Sequence, residues 1–543
     1  MKKIFFCLTW IIFISPLLLA QNTNSILNSN SPAILKMDVA MYAIKNLYVD
    51  DVNENKLVED GLRAMIKELD PHSAYMTAEE MKEMDEPLQG GFDGIGISFN
   101  MLDDTLFVVE VISGGPAEKV GLLPGDRIIK VGNDLVAGVK MSNSDIMKRL
   151  KGPKGTTVHV AVKRRDMTTL KEFSIIRDKI PIYSIDAAFM VDKSTGYIRL
   201  NRFGATTEDE FKQAFADLTK QGMTQLVLDL ESNGGGFMNA AVDLADEFLS
   251  QGKCIVYTEG LHSPRQESIA TSKGLFEKGK LVILIDEYSA SASEILSGAI
   301  QDWDRGLIVG RRSFGKGLVQ RPLSLPDGSS LKLTIARYFT PSGRFIQKPY
   351  ENADDYSRDL IDRYNRGEMS NADSIHFPDS LKTCTLINKR TIYGGGGIMP
   401  DVFVPMDTTN YTSLHKLLTV SGIMNRYSIQ YVDLHRTELT AKYPNIDEFI
   451  KNFSVTEDMT KELLSLAESE KIKISDEDRT SDKTLLLKQL KAYIARDFGK
   501  TADYYKVMWT ENESLNKALR ILNDKSTYEE LLKRKINYKH QSL

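Results

Sequence analysis

The chain has 543 residues, of which 42% are hydrophobic and 26% charged, and its formal net charge is −5. The length suits about three or four domains, and the composition is that of ordinary globular protein rather than a disordered or fibrous chain. The net charge of −5 gives no hint of the basic face that nucleic acid favours. Three cysteines (Cys7, Cys254, Cys384) are too few for a disulfide scaffold. The last two are compatible with one bond or with two free thiols. The seven histidines are scattered and no cluster has metal-ligand spacing, so no metal is expected, and Ser/Lys hydrolysis as read below needs no organic cofactor.

Met1-Lys2-Lys3, the apolar run Ile4 to Ala20 and the polar Gln21-Asn22-Thr23-Asn24 read as a secretory signal over residues 1–20, cleaved after Ala20. Residues 21–31 read as an Asn/Ser-rich leader. From Ala33 to Leu69, apolar residues at helical spacing predict two helices around Tyr48-Val49-Asp50-Asp51. Asp70-Pro71-His72-Ser73 ends the second, with His72 as a loop or capping residue. This N-terminal helical segment is placed at 21–85.

Residues 86–180 read as a small β-rich domain. Gly90-Gly91-Phe92-Asp93-Gly94-Ile95-Gly96-Ile97 runs into an alternating strand, and Leu106 to Ile112 is a second. A short helix at Gly115–Leu122, a strand from Arg127, a helix at 144–150 and a strand at 157–163 follow. This order resembles a PDZ domain of the bacterial protease-associated type. The resemblance implies that the loop Gly94, Ile95, Gly96 and Ile97 grips a peptide's terminal carboxylate on backbone amides, with the next strand edge taking the extended peptide.

From Ser194 to Arg337 strands and helices alternate. Leu226 to Leu230 and Leu281 to Ile285 are continuous apolar runs, which predict buried strands of a partly parallel sheet. Sites in such sheets lie beyond the strand C-termini. Ser232-Asn233-Gly234-Gly235-Gly236 and the loop around Ser291 both stand there. Beyond Pro405 the chain turns helical and charged. Lys461 to Lys500 reads as solvated helices, an oligomerisation or regulatory module.

Tyr288-Ser289-Ala290-Ser291-Ala292-Ser293-Glu294 is a small-residue serine loop opening a helix, and Phe314-Gly315-Lys316-Gly317-Leu318-Val319-Gln320 carries a glycine-flanked lysine. No histidine lies between Tyr288 and Gln320. A serine nucleophile needs a base, and a buried neutral lysine serves in place of imidazole. Ser293 is placed as the helix cap and Ser291 at the tip facing a cleft. Gln320 would orient the amine along a helix or across a turn. Two other patterns overlap here and both are incomplete. Gly310 to Gly317 lacks the Ser/Thr that ends a phosphate-binding loop, and Ser313-Phe314-Gly315-Lys316 lacks a downstream Lys-Thr-Gly.

Taken together, residues 33 to 405 resemble the C-terminal processing peptidases, also called tail-specific proteases. The motifs are Leu69 to Ser73, the PDZ pattern, Asp229 to Gly236, Ser289 to Glu294, Phe314 to Gln320 and Gly395 to Asp401. The resemblance implies an α/β multidomain chain: N-terminal helices, an inserted PDZ domain, a Ser/Lys protease core with mixed sheet over 181–405, and a helical extension at 406–543. It implies Ser291 as nucleophile, Lys316 as general base, Gln320 in support, and Gly235, Gly236 and Ala292 as oxyanion amides. Gly234 stands where the family commonly has proline, and Glu231 where it commonly has arginine.

The expected function is a serine endopeptidase of the bacterial cell envelope, periplasmic or envelope-associated. Expected partners are protein or peptide substrates with apolar C-termini, an adaptor or activator protein, and further copies of the chain. The alternative is a non-catalytic PDZ adaptor that uses the α/β core as a scaffold.

Overall fold

The computed structural model describes residues 31–165, 167–350, 353–407 and 410–533. The expected signal over 1–20 lies outside them. The chain divides into a unit ending at Leu69 and a unit from Asp70 onward. The first holds the two expected helices, α1 (Pro32–Leu47) and α2 (Glu54–Lys67). Asn53 starts α2 by accepting the Lys56 N–H at 3.1 Å, an N-cap in the usual sense.

In the second unit, β1 (Ala74–Met76) and α3 (Ala78–Asp85) come first. The expected all-helical segment 21–85 therefore contains a strand, and it pairs far along the chain. The PDZ region follows: β2 (Gly91–Gly94), β3 (Ile97–Leu102), β4 (Thr105–Val111), α4 (Pro116–Lys119), β5 (Arg127–Val131), β6 (Asp134–Leu135), α5 (Asn143–Leu150), β7 (Thr157–Lys163) and β8 (Lys171–Ile176). The sheet runs β3-β4-β5-β7-β8, which leaves β3 at an edge. Leu106, Val108, Ile128, Val160 and Val162 alternate inward over Ile146 and Leu150 of α5.

The protease region has β9 (Asp178–Pro181), β10 (Ile185–Met190), β11 (Thr195–Leu200), α6 (Thr207–Lys220), β12 (Gln225–Asp229) and α7 (Met238–Asp246). Then come β13 (Cys254–Gly260), β14 (Ser263–Ile269), β15 (Lys280–Ile285), α8 (Ala292–Asp302), β16 (Leu307–Gly310), β17 (Leu318–Ser324), β18 (Ser330–Phe339), α9 (Ala353–Asn365), β19 (Lys382–Cys384) and β20 (Thr391–Tyr393), with α10 (Ser413–Val420), α12 (Ile446–Asn452) and α14 (Asp476–Thr480) among the helices beyond. A six-stranded sheet runs β10-β11-β12-β15-β16-β21, where β21 is Val402–Phe403. Only β10 is antiparallel within it. A second sheet joins β1, β18, β13 and β14, with β17 on the other edge of β18. Cys254 and Cys384 are both free thiols.

The apolar runs of β12 and β15 have a simple cause: both faces of the sheet are covered. Leu226, Leu228, Leu281, Ile283 and Ile285 face α6, α7 and α8. Val227, Val282, Leu284 and Val309 face the opposite way, against Leu515, Ala518, Ile521 and Leu522. Those four residues belong to α17 (Glu513–Asn523), which follows α16 (Thr501–Met508) near the described end of the chain. The boundary expected at residue 405 therefore cuts through one core. Tyr528 secures the arrangement, with its hydroxyl within hydrogen-bond distance of both the Leu281 N–H and C=O.

The expectation of solvated helices over Lys461–Lys500 is also corrected. Within α13 (Glu457–Ser469), Leu463 and Ala467 are buried; within α15 (Thr484–Phe498), so are Leu486, Leu490, Ile494 and Ala495. They share a core with Met424, Tyr427 and Val432 of α11 (Ile423–Lys442). The charges counted in the sequence occupy the outer stripe of amphipathic helices, where they say nothing about the inner one. This bundle meets the PDZ region through polar contacts. Arg127 pairs with Asp433 at 2.8 Å, and Arg165 donates to the Asp433 carbonyl at 2.9 Å.

Candidate active site

Two loops leave the C-terminal ends of β12 and β15 side by side, and Asp286 ties them. Its carboxylate accepts the Ser232 N–H at 2.9 Å and the Tyr288 and Ser289 N–H groups at 3.0 Å. Asn233 adds a second tie, its carbonyl accepting the Ala290 N–H at 3.0 Å and the Ser293 hydroxyl at 2.8 Å. Ser293 is thus inside α8 and bonded to the neighbouring loop. The expected cap at Ser293 is corrected to Ser291, which holds the N-cap position.

Ser291 has φ 57° and ψ −111°, a conformation that costs an L-residue about 1–3 kcal/mol. The surrounding bonds maintain it. The Glu294 carboxylate accepts the Ser291 N–H at 2.9 Å, and the Ser291 carbonyl accepts the Glu294 N–H at 2.9 Å. The Gly235 backbone lies directly against this turn. A Cβ on Gly235 would stand 2.9 Å from Ser291 Cβ and 3.0 Å from the Ala292 nitrogen, so no side chain fits there. On Gly236 it would stand 2.1 Å from the Phe203 carbonyl oxygen.

The Gly235 N–H donates to Asn233 Oδ1 at 2.9 Å. The Gly235 N–H, expected as an oxyanion donor, is bonded within its own loop in this structure. Among the described residues, the Gly236 and Ala292 N–H groups meet no protein acceptor. Ala292 is the first residue of α8, where orphan N–H groups and the helix dipole favour negative charge.

Glu294 also organises the lysine loop. It accepts the Lys316 N–H at 2.8 Å, the Gly315 N–H at 2.7 Å and the Ser313 hydroxyl at 2.5 Å. One buried carboxylate thus holds the backbones of both expected catalytic residues. Burial pushes its pKa up, and the four hydrogen bonds oppose that rise. Tyr338 joins the same two backbones, its hydroxyl 2.6 Å from the Lys316 carbonyl oxygen and 3.2 Å from that of Ser291. No hydrogen bond joins Ser291 Oγ to Lys316 Nζ.

Burial holds Lys316 down to about 8, helped by the nearby Lys332 ammonium and opposed by Glu294 and Asp70. The free amine is the form that accepts a proton. A rate that depends on it therefore rises with pH up to about 8 and levels off above. Lys332→Met removes a cation that repels the Lys316 proton. Lys316 then keeps its proton to higher pH, and the rising limb of the kcat/KM profile moves to more alkaline values. An unmoved limb in a pH series of the two proteins would contradict this.

Gln320 stands in β17, neither on a helix nor in a turn. Its amide donates to Thr334 Oγ1 at 3.2 Å, and Thr334 Oγ1 donates to Asp70 at 3.1 Å. The expected Gln320 contact with the lysine amine is corrected to this side-chain chain. Asp70 also accepts the His72 N–H at 2.8 Å and the Ser73 hydroxyl at 2.6 Å. His72 lies against Tyr356, Nε2 to hydroxyl 2.8 Å. Burial, then the Lys316 cation, hold His72 down to about 4, so it is neutral near pH 7. Asp70, His72 and Tyr338 carried no local signal of this role. Glu294 did, as the acid three residues into a helix that starts at a serine.

In the PDZ region, the Ile95 carbonyl accepts the Ala117 N–H at 2.9 Å and the Gly96 carbonyl accepts the Ile112 N–H at 3.0 Å. In a planar trans peptide the N–H points opposite to the C=O. The Gly96 and Ile97 N–H groups are thereby turned away from these partners, beside the edge strand β3.

A mixed sheet with a strained serine at a helix N-terminus, a desolvated lysine and a PDZ region define a serine peptidase. The comparisons agree. The description Peptidase family S41 matches residues 194–356, PDZ domain matches 94–175, and Activating protease CtpB N-terminal domain matches 18–80. A family of unknown function matches 414–499. A probable CtpA-like serine protease of Staphylococcus epidermidis is 34% identical over 344 residues, 62% of this chain and 68% of that protein. A carboxy-terminal-processing protease of Bartonella bacilliformis is 35% identical over 309 residues, 56% of this chain and 70% of that one. Among solved structures, a photosystem II D1 C-terminal processing protease is 30% identical, covering 58% of this chain and 89% of its own, with TM-score 0.32. The chain belongs to the carboxy-terminal processing peptidases of family S41. That membership favours the enzyme over the adaptor.

Proposed function

We propose that this chain is an endopeptidase of the bacterial cell envelope in which Ser291 is the nucleophile and Lys316 its general base. The observation that carries the reading is Glu294, one carboxylate accepting the backbone N–H of both Ser291 and Lys316. Ser291 Oγ attacks the peptide carbonyl while neutral Lys316 takes its proton. The tetrahedral oxyanion is held by the Ala292 and Gly236 N–H groups. Lys316 then protonates the leaving amine as the acyl-enzyme forms, and water completes the cycle through the same base. Gln320 acts at a distance, by fixing Thr334 and Asp70 beside the lysine.

The Gly94–Ile97 loop takes the substrate's terminal carboxylate on the Gly96 and Ile97 N–H groups, and the chain ahead of it lies along β3. Substrates are proteins with apolar C-termini. An activator and further copies of the chain are proposed partners. The apolar run Ile4 to Ala20, read as a secretory signal, motivates the envelope location.

The test uses one unstructured peptide made with a free C-terminus and with a C-terminal amide. KM for the amide should exceed that for the acid by about tenfold, the worth of one charge-assisted hydrogen bond. A fluorophosphonate should become bonded to Ser291, as located by peptide mass. Equal KM values would remove the carboxylate role of the PDZ loop, and a label elsewhere would remove Ser291 as nucleophile.

A further inference from the structure

The loop from Glu231 to Gly236 opens with a buried carboxylate, and the structure shows what Glu231 meets. Asn512 Nδ2 donates to Glu231 Oε2 at 2.7 Å. Asn512 stands immediately before α17, the helix that covers the outer face of the sheet, and its Oδ1 caps that helix by accepting the Leu515 N–H at 2.8 Å. Neither the peptidase match nor the match over 414–499 includes it.

The Glu231 backbone is held from the other side. Its carbonyl accepts from Arg199 Nη2 at 2.9 Å, and its N–H donates to Asp229 Oδ1 at 2.8 Å. Arg199 is in turn paired with Asp229 at 2.5 Å and lies 4.9 Å from the ring centroid of Tyr505 in α16. Tyr505 and Asn512 thus bring the C-terminal segment to the point where β12 becomes the glycine loop. Ser232, the next residue, has φ 63°. Its strained turn is entered from a residue anchored on all sides.

We infer that Asn512 is a positioning residue for peptide-bond hydrolysis: by holding the Glu231 side chain it sets where the Ser232–Gly236 loop lies against Ser291. The inference rests on the proposed reading in which Gly236 and Ala292 hold the oxyanion. It explains why the chain keeps a helix so far along its sequence against the protease sheet.

Asn512→Asp tests it. Aspartate preserves the cap on α17 but loses the Nδ2 donor; the assay is run at pH 9, because burial and the Asp229 and Asp286 charges push Glu231 up to about 7 and only the ionised form cannot donate in its place. The expected result is a fall in kcat of about tenfold with KM within about twofold, a part of the ~100-fold that a 1 Å misplacement brings. Glu231→Gln in the Asn512→Asp background restores the hydrogen bond with donor and acceptor exchanged, and kcat should return to within about threefold of the unaltered protein. Thermal unfolding is followed for each variant, so that kcat is compared at a temperature where every protein is folded. An unchanged kcat in Asn512→Asp overturns the inference. So does a double variant as slow as the single, since the loss then does not pass through the Glu231 contact. Ser291→Ala is run beside them. If that variant still cleaves, the Ser291 reading fails, whatever the two Asn512 proteins do.

Discussion

Ser291→Ala and Lys316→Met should each lower kcat by at least ~10⁴-fold, the scale seen when a nucleophile or its base is removed from a hydrolase whose oxyanion donors stay in place. Both variants should remain folded. The contacts that Ser291 makes to Glu294 are through its backbone, which alanine retains. Methionine matches the lysine stem and suits a site that already disfavours the ammonium. The double variant should be no slower than either single one, because the two groups act on one proton. Intact-mass kinetics on an unfolded substrate measure all three. A single variant that keeps more than about 1% of kcat would place the nucleophile or the base elsewhere.

Glu294→Gln should come next in size. Ser291 N–H and Lys316 N–H share one carboxylate oxygen, and Ser313 Oγ and Gly315 N–H share the other. An amide has one acceptor oxygen, so either orientation turns an NH₂ group on two donors. The two loops then lose their common anchor, and kcat should fall by about 10²-fold. Leaving buried donors unpaired should also lower stability by about 2–4 kcal/mol. Steady-state kinetics with urea unfolding separates these effects. A Gln variant with full kcat would show that the loops hold their places without the carboxylate.

The serine and lysine loops were legible because they come as short runs with strong local meaning. Small residues around Ser291, glycines around Lys316 and at 234–236, and acid at 294 each restrict what the backbone does nearby. The parallel sheet was legible for a related reason: strands covered on both faces are apolar at every position, and β12 and β15 are. Where expectations failed, the missing information lay in partners far along the chain. Gln320 was expected to meet the lysine and bonds Thr334 instead. Gly235 was expected to offer its N–H and gives it to Asn233.

The same distinction separates what this sequence decides alone from what folding decides. Residue order determines the strained serine before a helix, the flexible glycines and the hydrophobic period of each element, because these depend on sterics within a few residues. Which face an element buries, and against what, depends on contacts across hundreds of residues. Val227, Val282 and Leu284 announce a covered face, yet only the fold shows that Leu515, Ala518 and Ile521 cover it. Lys316 carries no mark of a lowered pKa until packing takes its amine out of water and brings Lys332 near it. Desolvation, long-range charge and the pairing of buried donors are properties of the assembled interior, so they appear only there.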